Sequence, residues 1–243
     1  MKCVNIEYVN ESYDLCDLEI DGGNNNYVAE GVVVHNTFCQ VVALPYRNEC
    51  PDGEHIYIEY EKEAEQIKGY VAVSSKGLGA KGLFLKHNEK NEKNVYIRAT
   101  SQYFKALVEW ATYYDRPITM CGEVFGDGVQ DLKYGMLNQI AFRCFDVYVG
   151  YRGQGYWFDD ISLTQFCETL SITRVPVLYR GPYSNQIVQQ LTQHTKSVFD
   201  SKQVREGIVI KPINERQHKY LGRVVLKSIN EDYYVRKNAT EYN

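Results

Sequence analysis

Two stretches, 118–125 and 139–149, are nearly continuous runs of apolar and β-prone residues. A strand with one wet face alternates apolar and polar residues, whereas a strand covered on both faces need not. Both runs therefore predict interior strands, and any fold for this chain must supply cover on either side of them. Further strands are predicted at 55–60, 70–74, 83–86, 207–211 and 223–227. Phe104, Leu107, Val108 and Ala111 recur at helical spacing and predict a helix over 102–114. Ser162 is read as the cap of a second helix carrying Leu163, Phe166 and Leu170, and 183–193 as a third. Helices that do not alternate strictly with strands indicate an α+β fold rather than a doubly wound parallel sheet.

With 243 residues and 44% hydrophobic side chains, the chain can build a core, which excludes wholesale disorder. No run of about eighteen apolar residues exists, so no membrane-spanning helix and no membrane partner are expected. The first residues lack the basic and apolar regions of a secretory signal. Seven scattered cysteines without a Cys-x-x-Cys pair argue against a disulfide scaffold or zinc ribbon, and for a reducing, cytoplasmic compartment. Charge is unevenly spread. Residues 1–36 hold one basic and seven acidic side chains, net −6, against +2 for 37–243. The two parts read as separate units, and the second is not basic enough to bind nucleic acid through bulk charge.

In the first unit, the turn-forming residues Asp21, Gly22, Gly23 and Asn24 separate two β-prone runs, so short strands are expected there. The run ends in Val34-His35-Asn36-Thr37. The Asn36 side-chain amide can attack its own carbonyl, form a succinimide and cleave the chain. His35 can act as acid at that carbonyl, and the Thr37 hydroxyl can accept an acyl group. This junction, with 17–20 and 26–31 before it in order, resembles the C-terminal end of an intein. The resemblance implies that residues 1–36 are a Hint-type fragment of short strands, and that Asp17 assists the Thr37 step. Where many inteins carry another histidine, this chain has Asn25. A unit of 36 residues has the length expected of the C-terminal piece of a split intein.

Residues 37–243 resemble ATP-dependent RNA ligases of the covalent nucleotidyltransferase superfamily. The motifs stand in family order: Val73-Ser74-Ser75-Lys76-Gly77, Cys121-Gly122-Glu123, Phe142-Arg143-Cys144-Phe145-Asp146, Arg205-Glu206-Gly207 through Lys211, and Val225-Leu226-Lys227-Ser228. The resemblance implies an ATP-grasp-like nucleotidyltransferase domain of antiparallel sheets with flanking helices. Lys76 would lie beside the nucleotide. Phe145 offers an adenine-stacking face and Glu123 an acceptor for ribose hydroxyls. Glu206 would help to hold Mg2+ or Mn2+, and Lys211 and Lys227 would neutralise the α-phosphate. Val225 stands where the family has a first lysine in its last motif, leaving the phosphate to Lys227 alone or with Arg223.

The family's nucleophile, the lysine of Lys-x-x-Gly that becomes lysyl-AMP, has no counterpart upstream of Ser74 in a suitable setting. The family motif is often followed by Thr or Ser and a strand, and here Thr37-Phe38-Cys39-Gln40 begins at the splice junction. The expectation is a precursor with an intein fragment at 1–36 and a ligase part lacking motif I at 37–243. Its partner is an N-terminal intein and ligase half that carries the lysine, and its substrates are ATP and RNA or a nicked duplex. A non-catalytic nucleic-acid-binding remnant and a DNA ligase are the other readings of the same motifs.

Overall fold

A computed structural model describes residues 26–30, 37–46, 58–62, 67–79, 81, 83–86, 88–129, 133–151, 153–220 and 222–235. The chain enters through β1 (Asn26–Glu30) and then forms β2 (Phe38–Pro45), β3 (Ile58–Lys62) and β4 (Ile67–Ser75). Three short helices, α1 (Lys76–Gly79), α2 (Glu89–Glu92) and α3 (Val95–Thr100), lead through a 3-10 turn into α4 (Phe104–Tyr114). Next come β5 (Ile118–Gly126), β6 (Ile140–Val149), β7 (Tyr156–Trp157), α5 (Asp160–Thr169), β8 (Val177–Pro182) and α6 (Asn185–Thr192). The last elements are β9 (Gly207–Pro212), the hairpin β10 (Gln217–His218) and β11 (Gly222–Arg223), β12 (Leu226–Ile229) and α7 (Glu231–Tyr234).

Two sheets carry the fold. The larger has the order β3-β4-β2-β5-β6-β7 and the smaller β12-β9-β1-β8, and every strand pairing in them is antiparallel. On β2, Cys39, Val41 and Ala43 are fully buried, and Leu107, Val108 and Ala111 of α4 pack into the same core. The helix sits so close that a Cβ at Gly69 would lie 2.6 Å from a Val108 methyl. Asp115, at φ 48°, closes α4 by turning its N–H back to Ala111 and Thr112. The smaller sheet buries Ile208 and Ile210 against Val188 and Leu191 of α6. Phe125, Tyr134, Val175 and Tyr233 form a third cluster, which includes β5 from the larger sheet and α7 after the smaller one.

The strand predicted over 118–125 is β5, buried on both faces as expected. β6 differs. Cys121 pairs with Asp146 and Gly122 with Cys144, so Phe145 is an extra residue without a partner. This is a β-bulge. It reverses the phase of the strand, so that Phe142 and Cys144 before it and Val147 and Val149 after it reach the same core. The unbroken apolar run records that phase change rather than two covered faces.

Other expectations are corrected. Residues 83–86 form no strand: Leu85 N–H bonds to Val73 O and Ser74 Oγ to Leu83 O, without a ladder. Asp159, not Ser162, caps α5, its carboxylate accepting from the Ser162 N–H at 2.8 Å. The strand placed over 223–227 divides into β11 and β12. The one described strand of residues 1–36, β1, pairs with β8 and β9. No described helix is long and apolar enough to cross a membrane.

Candidate active site

Residues from both sheets converge at the bulge. Phe145 is half-buried, its ring 6.0 Å from that of Phe38 on β2. With no ladder partner for this residue, its carbonyl accepts a 2.7 Å hydrogen bond from Lys211 Nζ of β9. Asp146 follows, buried, with Lys211 Nζ 3.7 Å from its Oδ1. Arg223 holds Asp146 from the other side, Nη2 donating to Oδ1 at 2.8 Å and Nη1 to Oδ2. Arg223 also bonds both oxygens of Glu215, at 2.9 and 2.8 Å, and lies 4.2 Å over the Trp157 ring. Burial works against its charge, yet the bonds to Asp146 and Glu215 hold it above the usual arginine value. Arg223 therefore joins β6 to β11, and its guanidinium is committed there rather than to a phosphate.

Glu123, on β5, is 5% exposed. Thr37 is more buried still, at 2%, and its Oγ1 donates to Glu123 Oε2 at 2.6 Å, while its carbonyl accepts from Val124 N–H at 3.0 Å. Burial pushes the Glu123 carboxyl up to about 8. The Thr37 bond opposes this, the Glu206 charge adds to it, and Lys227 and Lys76 oppose it. Those influences place the four groups in one electrostatic neighbourhood. Gly122 is required beside Glu123: a Cβ there would meet Phe142 Cζ at 2.3 Å and Arg143 O at 2.4 Å.

Glu206 enters from the start of β9 and is 1% exposed. Asn230, fully buried, positions it: the Asn230 N–H donates to Glu206 O at 2.8 Å and its Nδ2 to Arg205 O at 3.0 Å. On the neighbouring strand, Lys227 Nζ donates to Glu206 Oε1 at 2.9 Å. Lys76 is exposed at the start of α1.

Of the residues singled out in the sequence, Phe145 is thus bonded to Lys211 and Glu206 to Lys227, while Glu123 feels the charges of Glu206, Lys227 and the exposed Lys76. Asp17, His35 and Asn36 lie outside the described residues. Sequence reasoning passed over Phe38, Asp146 and Trp157, and read Thr37 for its junction role alone. Asp146 was in view beside Phe145, but its partner Arg223 is 77 positions away.

A cation fits this donor set in one way. Among the described residues no three His, Cys, Asp or Glu side chains cluster as a cage. A buried carboxylate such as Glu206, completed by phosphate oxygens and water, matches the way Mg2+ is commonly held.

A family model described as RNA ligase matches residues 51–229. No curated protein matches the sequence. Among solved structures, a Naegleria gruberi RNA ligase with pyrophosphate is similar with a TM-score of 0.56 at 16% identity, over 86% of this chain and 50% of that one. A mutant of the same ligase with ATP and manganese gives 0.56 at 15%, over 86% and 51%. A further mutant with AMP and manganese gives 0.56 at 17%, over 86% and 50%. The chain spans about half the length of these ligases.

Proposed function

The chain belongs to the RNA ligase family, and from that premise we propose that residues 37–243 are the larger part of an ATP-dependent polynucleotide ligase, completed by protein splicing at Asn36-Thr37. The observation that carries this reading is the Thr37–Glu123 hydrogen bond at 2.6 Å. The first residue after the junction bonds the carboxylate assigned to the ribose, so on this reading whatever is joined to Thr37 enters that site directly. A segment ending in Lys-x-x-Gly would deliver the missing nucleophile there. We place that segment on a separate polypeptide, so the joining is trans-splicing.

In the joined enzyme, the lysine amine attacks the ATP α-phosphorus and pyrophosphate leaves. The AMP then passes to a 5′-phosphate, and a 3′-hydroxyl displaces it to seal the ends. Phe145 supplies a face for adenine and Glu123 a partner for ribose. Lys227 and Lys211 meet the charge that develops on the α-phosphate, where fixed cations act most strongly. A divalent metal, Mg2+ or Mn2+, would be held by Glu206 and would supply further charge neutralisation; the solved relatives with ATP and manganese support that choice. The strand ends would belong to RNA, or to a nicked duplex.

Mixing the chain with a matching upstream half tests the splicing. Mass spectrometry should find a joined protein and a free peptide of residues 1–36. Asn36→Ala should retain that peptide, because no succinimide can form. Release at the normal rate from Asn36→Ala would overturn the junction chemistry.

A further inference from the structure

The smaller sheet has the order β12-β9-β1-β8, so β1 is an interior strand. Tyr27 through Glu30 pair with 209–212 on β9, and Asn26 through Glu30 with β8, antiparallel to both. Yet β1 lies within residues 1–36, the segment that the proposed splicing removes. Neighbouring strands stand about 4.8 Å apart. Excision alone would leave β8 and β9 separated by about twice that, with a row of backbone donors and acceptors on each side. Each such group left buried and unsatisfied destabilises the sheet. A sheet in that state would not persist.

We propose that β1 is a placeholder strand. The position between β8 and β9 is the docking surface for the terminal strand of the upstream half, and the excised segment fills it until splicing hands it over. This rests on the splicing reading given above. Chain direction supports it. β1 runs towards Thr37 in the precursor, and the segment bonded to Thr37 after splicing also runs towards Thr37. The incoming strand therefore has the polarity of β1 and can take up the same antiparallel ladders. In the joined chain the lysine of Lys-x-x-Gly stands four positions before Thr37, past the last ladder position of β1 at Glu30, so the strand that takes over the ladders lies just upstream of that lysine and leads it towards the site.

Hydrogen exchange read by mass spectrometry tests the handover on the full chain. In the unreacted chain, β8 and β9 amides should be protected. Val28→Pro removes an interior ladder donor, so exchange in 177–182 and 207–212 should accelerate about tenfold or more while α4 stays protected. After joining to the upstream half, the wild-type product should protect β8 and β9 again, with the peptide 1–36 eluting separately. Unchanged protection in Val28→Pro overturns the placeholder, as does a released peptide that stays bound to the product. A joined product whose β8 and β9 exchange freely overturns the handover alone. Absence of any joined product overturns the splicing reading and the handover with it.

Discussion

Glu123 carries the most testable chemistry at the scale of one residue. An ordinary glutamate ionises near 4.5, and burial holds this one up to about 8. Between those values the unfolded chain has lost a proton that the folded chain keeps. Stability should therefore fall as pH rises through that window. Glu123→Gln cannot ionise and still offers an oxygen to Thr37, so unfolding free energies from urea titrations should decline from about pH 5 to about pH 8 in the wild type by more than ~1.4 kcal/mol relative to the variant. Parallel curves would show that Glu123 is not held protonated. Lys227 and Phe145 separate by kinetics in the joined enzyme. Lys227→Ala should slow single-turnover adenylation about a hundredfold, because charge at the α-phosphate grows in the transition state. Phe145→Leu should mainly raise the ATP concentration required, since stacking acts before and during reaction alike. The reverse pattern would mean that the two roles are exchanged.

At the scale of elements, the Gly122–Glu123 step shows how packing positions chemistry. A methyl at 122 would meet Arg143 O, a backbone atom that cannot swing aside. Gly122→Ala should lower stability by about 1–3 kcal/mol, the usual penalty for overpacking, and slow adenylation by moving Glu123. A denaturation midpoint unchanged from wild type would contradict the close approach. Much of this level was legible in the sequence. Helix α4 was readable because its period is local, and β5 because its apolar run had one cause. β6 presented the same signature for another reason, a phase change at Phe145 that composition does not encode. The 83–86 run was misread because strand propensity does not tell whether a neighbour offers a free edge. Within the site, the motif residues were legible in order, while the Arg223–Asp146–Glu215 link was not. It depends on a contact between β6 and β11, which no local pattern specifies.

Across the whole molecule, the two sheets share one site, and Thr37 leads into it from the junction. On the splicing reading proposed above, the nucleophilic lysine comes from upstream of residue 37. The 243-residue chain alone should take no acid-stable label from ATP labelled at the α-phosphate, and the joined protein should. Label on the unjoined chain at Lys76, Lys211 or Lys227 would overturn the need for an upstream lysine. The convergence of Glu123, Phe145, Glu206, Lys211 and Lys227 was anticipated only through family motifs. Their spacing spans more than a hundred positions, too far for periodicity to relate them.

The unpaired residue in β6 has one more consequence. A sheet counts residues in twos, and a single extra one is a parity defect. Removing Phe145 would repair it: Cys144 and Asp146 would become neighbours and pair in unbroken register with Gly122 and Cys121. The same change would delete the face proposed for adenine and the carbonyl that holds Lys211. A chain lacking Phe145 should therefore fold, with its far-ultraviolet circular dichroism intact, and have no measurable affinity for ATP. Loss of fold in that chain would mean that the defect is structural. At this one position, a regular ladder and the proposed nucleotide contact are mutually exclusive sequences.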